Sequence, residues 1–193
     1  VVTLAQAALA AVHRAIDSAH PVLALAAVSG KCPPLTDSEH FAVLILETGN
    51  ELAKLLADYA AACGAKALVL VAANDGTGLA DGERVPSATE ALAALAPILA
   101  ARNLAGLVEC LGFAACSLRL KSEAVAAIAA ADGWEVFRLV HDTFHHRLAG
   151  EQQLFPRETG LIHISGVDDA GVAFADMRDP HRVLVGPRDR LDN

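Results

Sequence analysis

Short apolar runs alternate with longer stretches of helical periodicity along the whole of this chain. Residues 22–28 and 67–73 are unbroken runs of Ala, Val and Leu, and 104–111 is a similar run interrupted by Gly106, Glu109 and Cys110. Such runs are the pattern of strands buried on both faces. Residues 137–141 and 160–165 are shorter runs of the same kind, which makes five predicted strands. Helices are predicted over 3–19, 39–63, 87–101 and 121–131. Thr3 is a candidate N-cap for the first, and Gly64 and Gly133 close the second and fourth. Ser87-Ala88-Thr89-Glu90 has the spacing of a capping box and opens the third. Residues 29–38, with Gly30, Pro33 and Pro34, read as a loop, and Asn74-Asp75-Gly76 as a turn. Residues 166–193 read as a long polar loop.

Strands separated by helices mean βαβ units and a parallel sheet. An open doubly wound sheet and a (β/α)8 barrel both satisfy that pattern. The first normally carries a Gly-rich phosphate turn, and neither G-x-G-x-x-G nor G-x-x-x-x-G-K-[ST] occurs here. A barrel takes about 250 residues, so five strands in 193 residues fit an incomplete TIM barrel. The expectation is a single partial (β/α)8 domain over 1–193 that lacks about three of its eight units.

The apolar fraction is 54%, dominated by Ala and Leu, which favours helices and a sizeable core. The net charge of -8 opposes a nucleic-acid surface, which needs clustered Lys and Arg. The apolar run 21–28 is too short for a membrane span. Four cysteines without a C-x-x-C pair suggest buried thiols in a reducing, cytoplasmic setting. No basic leader precedes an apolar stretch. The abrupt ends of the chain lead us to expect missing segments on both sides.

The polar signal sits at strand ends. Leu107, Glu109 and Leu111 share one face of the third strand by the period of two. A carboxylate in such a run is costly to bury without a partner. Asp142 ends the fourth strand and His163 lies near the end of the fifth. In a barrel those C-terminal ends converge on one mouth, where chemistry takes place. One Glu, one Asp and one His form a ligand set for Mn, Zn, Co or Mg. Cys110 alternates with Glu109 and is excluded as a ligand. His141 alternates with Asp142 and is expected to face the helices as a structural group. Of His145 and His146, one is expected at the substrate or metal and the other in solvent. Arg182, in the segment Asp179-Pro180-His181-Arg182, is a candidate for gripping substrate oxygens.

Three segments carry a family likeness: Leu107-Val108-Glu109-Cys110-Leu111-Gly112-Phe113, His141-Asp142-Thr143-Phe144-His145-His146, and Ile162-His163-Ile164-Ser165. Together with His181-Arg182-Val183-Leu184-Val185-Gly186-Pro187, they resemble the xylose isomerase-like barrel superfamily. Within it the likeness is to the sugar phosphate isomerase/epimerase group that includes 2-keto-myo-inositol isomerases, over residues 3–193. The resemblance implies metal ligands Glu109, Asp142 and His163 on barrel strands five, six and seven. It implies substrate contacts from His145 and Arg182, and a catalytic role for Glu109. The group's fourth ligand, a Glu on strand eight, has no counterpart, and strands one and two are also expected to be missing. The implied reaction is proton transfer beside the carbonyl of a small keto sugar or keto-cyclitol, assisted by one divalent ion. Epimerases and inosose or dehydroshikimate dehydratases share that ligand set, and a barrel that has lost its chemistry is the non-enzymatic alternative. The superfamily's abasic-site endonuclease branch is disfavoured by the acidic charge. A homo-oligomer is compatible with the group.

Overall fold

The computed structural model describes residues 43–45, 50–62, 64–74 and 79–193. The predicted helix over 3–19, the strand over 22–28 and the loop over 29–38 lie outside the described residues. Five strands form one parallel sheet in sequential order: β1 (Val43–Ile45), β2 (Ala67–Val71), β3 (Ala105–Glu109), β4 (Phe137–Asp142) and β5 (Thr159–His163). Each pairs with the next in sequence. A doubly wound sheet reverses its strand order at a switch point, whereas sequential order is that of a barrel wall. The described residues therefore form an incomplete (β/α)8 barrel.

Helices α1 (Asn50–Ala62), α2 (Asp81–Ala100) and α3 (Lys121–Ala130) connect the first four strands. The seven-residue α4 (Thr143–Ala149) follows β4 directly. Two predicted elements are corrected. The helix expected over 39–63 gives way to β1 at Val43–Ile45, and α1 begins only at Asn50. A short apolar run fits either state by its periodicity alone. Parallel pairing of Val43, Leu44 and Ile45 with Val69, Leu70 and Val71 decides for the strand.

The second correction concerns Ser87-Ala88-Thr89-Glu90, which lies inside α2 and does not start it. The helix opens at Asp81, where the Glu83 carboxylate accepts the Ala80 N–H at 3.2 Å. Thr89 Oγ1 donates back to Val85 O at 2.7 Å, the habit of a mid-helix threonine. Pro86 and Pro97 each forfeit one backbone hydrogen bond, and the twenty-residue helix runs through both.

Strand alternation divides the apolar residues between two cores. Leu68, Leu70, Val108, Phe137 and Leu139 face outward onto the Ala- and Leu-rich sides of α1, α2 and α3. Val69, Leu107 and Val140 face inward, with Val71, Ala105 and Leu161 packed against them. Residues 166–193, expected to be a polar loop, carry a third core instead. Val167, Met177 and Leu191 bury themselves against Phe144 of α4. This segment, a strap laid over the strand ends, includes two short 3-10 turns, Phe174–Asp176 and Asp179–His181.

Candidate metal centre

The inward face changes character toward the C-terminal ends of the strands. Below lie Val69, Leu107, Val140 and Leu161. Above them, by the same period of two, come Glu109, Asp142 and His163. Asp142 and His163 are register partners, and Glu109 is level with Val140 one pleat lower. The three predicted residues are thus brought together. His163 Nδ1 donates to Glu109 Oε1 at 2.9 Å and lies 3.7 Å from Asp142 Oδ2.

Asp142 divides its work between its two oxygens. It is the N-cap of α4, and Oδ1 accepts the His145 N–H at 3.0 Å. A side-chain acceptor here satisfies one of the helix's unpaired donors. Oδ2 is left to face the mouth, where the Arg182 Nη2 donates to it at 2.6 Å. The Asp142-x-x-His145 spacing is the spacing of a cap and its N3 residue, so capping also delivers the His145 ring to the same place. Side-chain atoms of Glu109, Asp142 and His145 all lie within 4.8 Å of one another. His145 therefore joins the ligand candidates, beyond the substrate contact expected of it. The N-cap pattern Asp142-Thr143-Phe144-His145 was the available signal.

Gly112 makes this approach possible. Its φ is +72°, and a Cβ there would meet His145 O at 2.3 Å. Only glycine supplies both the left-handed conformation and the clearance.

The electrostatics follow from burial and convergence. Glu109, Asp142 and His145 are buried. Burial opposes charge on Asp142, but the proton of His163, then His145 and Arg182, outweigh it and hold the carboxyl well below the usual range. The carboxylates of Asp142 and Glu109 raise the His163 imidazole to about 9 against the opposing effect of burial. Burial lowers His145. The cluster is thus a concentrated negative site that here recruits the His163 proton and the Arg182 guanidinium.

The donor set fits a divalent ion. Two buried carboxylates and two imidazoles meet with no thiolate among them, a mixture suited to Zn, Mn or Co. Cys110 is turned away, its Sγ bonded to Leu120 O at 3.2 Å, as its strand parity predicts. His141 faces the helices, 2.9 Å from Lys121 Nζ, also as predicted. His146 is half-buried, with its Nδ1 enclosed, so it is less open to solvent than expected. Arg182 reaches inward, with Nε donating to Ser165 Oγ at 2.9 Å and Nη1 to Asp179 Oδ1 at 3.1 Å.

Comparison with known proteins agrees with this architecture. The family model described as xylose isomerase-like TIM barrel matches residues 2–184. The chain belongs to that family. Among solved structures it is similar to a xylose isomerase domain-containing protein from Salmonella typhimurium LT2. That match has 32% identity and a TM-score of 0.67, over 77% of this chain and 55% of that one. It is also similar in fold to the IolI protein, whose structure has a bound zinc atom, at 20% identity and TM-score 0.65, over 78% and 59%. A xylose isomerase domain protein from Alicyclobacillus acidocaldarius matches at 17% identity and TM-score 0.56, over 78% and 60%. The chain thus spans somewhat over half the length of these structures. No curated protein matches. Among the described residues no helix is long and apolar enough to cross a membrane.

Proposed function

We propose that this chain carries the ion-binding part of a divalent-metal-dependent isomerase acting on a keto sugar or keto-cyclitol. The observation that supports it is the meeting of Glu109, Asp142, His145 and His163 at the inner ends of β3, β4 and β5. Family membership and the zinc in the similarly folded IolI structure agree with this reading. Glu109, Asp142 and His163 would hold the ion, with His145 beside them. A bound divalent ion would supply Lewis acidity at a carbonyl oxygen, which makes the proton on the neighbouring carbon easier to remove.

The remaining work falls to this chain's own groups. Arg182 sets a fixed fork of donors beside Asp142 and His145, suited to sugar hydroxyl and carbonyl oxygens. Glu109 is the carboxylate assigned to proton transfer, and its Oε1 already shares a proton with His163 Nδ1. The strap, anchored on Phe144 by Val167, Met177 and Leu191, brings Arg182 to Asp142 at the end of β4.

The test has two parts. Chelator-treated protein is titrated calorimetrically with Zn, Mn, Co and Mg, and a stoichiometry near one is expected. The loaded protein is then incubated with 2-keto-myo-inositol and followed by NMR. A new ketose supports an isomerase, and loss of water would replace it with a dehydratase of the same family. Failure to bind any of the four ions overturns the proposal.

A further inference from the structure

Arg182 reaches the candidate ion centre from the strap, and its nitrogens have partners of two kinds. Nε donates to Ser165 Oγ at 2.9 Å and Nη1 to Asp179 Oδ1 at 3.1 Å. Ser165 follows the end of β5, and Asp179 belongs to the strap itself. Nη2 donates to Asp142 Oδ2 at 2.6 Å, and that bond crosses from the strap to the cap of α4. The guanidinium also lies over the Phe144 ring, 5.1 Å from its centroid.

Asp142 has no second oxygen to spare. Oδ1 accepts the His145 N–H that caps α4, which leaves Oδ2 for the mouth of the barrel. A zinc–carboxylate bond is about 2.0–2.2 Å long. An ion held on Oδ2 at about that distance would stand less than about 5 Å from Nη2, because Nη2 is itself 2.6 Å from the same oxygen. Nη1 stands 3.4 Å from His145 Nε2, so the same guanidinium covers a second ligand candidate.

Two cations that close, beside buried carboxylates and with little water between them, repel. Arg182 cannot relieve the repulsion by giving up its charge, since a guanidinium stays protonated throughout the range in which proteins fold. It can relieve it by moving. Ser165 and Asp179 hold Nε and Nη1 independently of Asp142. A tilt of the planar fork that parts Nη2 from Oδ2 therefore keeps two anchors.

We propose that Arg182 is a built-in competitor of the divalent ion. Its Nη2 and the ion exclude one another at Asp142 Oδ2. Without an ion, Arg182 latches the strap to the cap of α4. With an ion on Oδ2 the latch opens, and Nη2 becomes a free donor at the mouth while Ser165 and Asp179 keep the side chain in place. The coupling is reciprocal: whatever holds Arg182 on Asp142 weakens the ion, and the ion weakens that hold to the same degree. This inference rests on the reading of Asp142 as an ion ligand and assigns a regulator to that site.

The test compares zinc affinity at a fixed pH of about 7.5 in wild type, Arg182→Gln and Arg188→Gln, by calorimetry on chelator-treated protein. Arg182→Gln should bind zinc more tightly, by about 5–150-fold, the usual span of a coupling between two sites. A residue that merely orients a ligand has the opposite sign, since its loss weakens the metal by about 10–100-fold. Arg188, also on the strap and paired with Asp168 in solvent, should leave the affinity unchanged when replaced. Crystal structures of the wild type with and without zinc give a second readout that needs no variant to fold. The 2.6 Å contact between Arg182 Nη2 and Asp142 Oδ2 should open beyond hydrogen-bond distance with zinc, while the Asp179 contact persists. Zinc binding by the wild type together with unchanged or weaker binding by Arg182→Gln overturns this proposal and leaves the ion site standing. An equal gain in Arg188→Gln overturns it as a general field effect. An intact Arg182–Asp142 bond beside bound zinc overturns it as well. A wild type that binds none of the four ions overturns both this proposal and the function on which it rests.

Discussion

Asp142 is where the fold and the candidate ion site are most tightly joined, and two substitutions separate its functions. Asp142→Asn keeps an oxygen able to accept the His145 N–H at 3.0 Å, because Asn caps helices about as well as Asp. It removes the negative charge that Arg182 meets at 2.6 Å and that His163 faces at 3.7 Å. Stranding one partner of a fully buried pair costs about 3–5 kcal/mol. Arg182 is 25% exposed, so water recovers part of that, and a loss of about 2–3 kcal/mol is expected. Asp142→Ala loses the cap as well and should fall about 1 kcal/mol further. Urea unfolding with chelator present measures both. Zinc titration of the Asn variant should show affinity reduced by more than about a hundredfold, since outer-shell partners alone command about 10–100-fold. If the Asn and Ala variants are equally stable, the cap contributes nothing. If the Asn variant binds zinc within about threefold of wild type, Asp142 is not a ligand and the ion-site reasoning fails.

Proton release gives a second check. The folded His163 titrates at about 9, above its ordinary 6.5, so its paired proton stabilises the ion-free fold fully below about pH 6.5. That contribution is lost as the pH rises through 9. A ligating imidazole must be neutral, so zinc binding at pH 7.5 should expel close to one proton, read by calorimetry in buffers of different ionisation enthalpy. Binding without proton release would remove His163 from the ligand set. Gly112→Ala should cost at least about 3 kcal/mol from its left-handed backbone and the blocked approach of α4. Gly82→Ala, whose added Cβ meets nothing within 4 Å, should raise stability by up to about 1 kcal/mol. Equal melting temperatures for the two would refute the close-approach argument. Phe137→Ala should lose about 3–5 kcal/mol in denaturant unfolding, because its ring fills the space against Gly106 and Gly133. A loss below about 1 kcal/mol would mean that the outer core repacks.

Strand parity carried most of what the sequence disclosed. Glu109, Asp142 and His163 stand out because a polar residue on the inward row of an apolar strand has nowhere to go except the mouth. The same parity placed Cys110 and His141 on the helix side. The errors arose where local patterns have two solutions. The run Val43–Ile45 fits helix or strand until a neighbour pairs with it. Ser87 and Glu90 have cap spacing, yet α2 had already started at Asp81. The strap read as polar because Val167, Met177 and Leu191 are spread over twenty-five residues with no periodicity to connect them. His145 as a ligand candidate depends on the cap geometry of Asp142, a contact that spacing hinted at and only the fold displays.

The strap is anchored mainly to α4 and its cap. Val167, Met177 and Leu191 pack on Phe144, Thr143 Oγ1 bonds with both the N–H and the carbonyl of Ser165, and Arg182 holds Asp142. A seven-residue helix does not persist by itself in water, and the strap has no sheet ladder of its own beyond the bridge between Gly166 and Val183. Each is therefore a scaffold for the other, and the two should come undone together as one cooperative unit while β2, β3 and the outer core remain intact. Amide exchange would record this as a shared opening free energy for the helix and the strap, below that of the sheet. The barrel's mouth could then unlatch and admit a guest without the molecule unfolding.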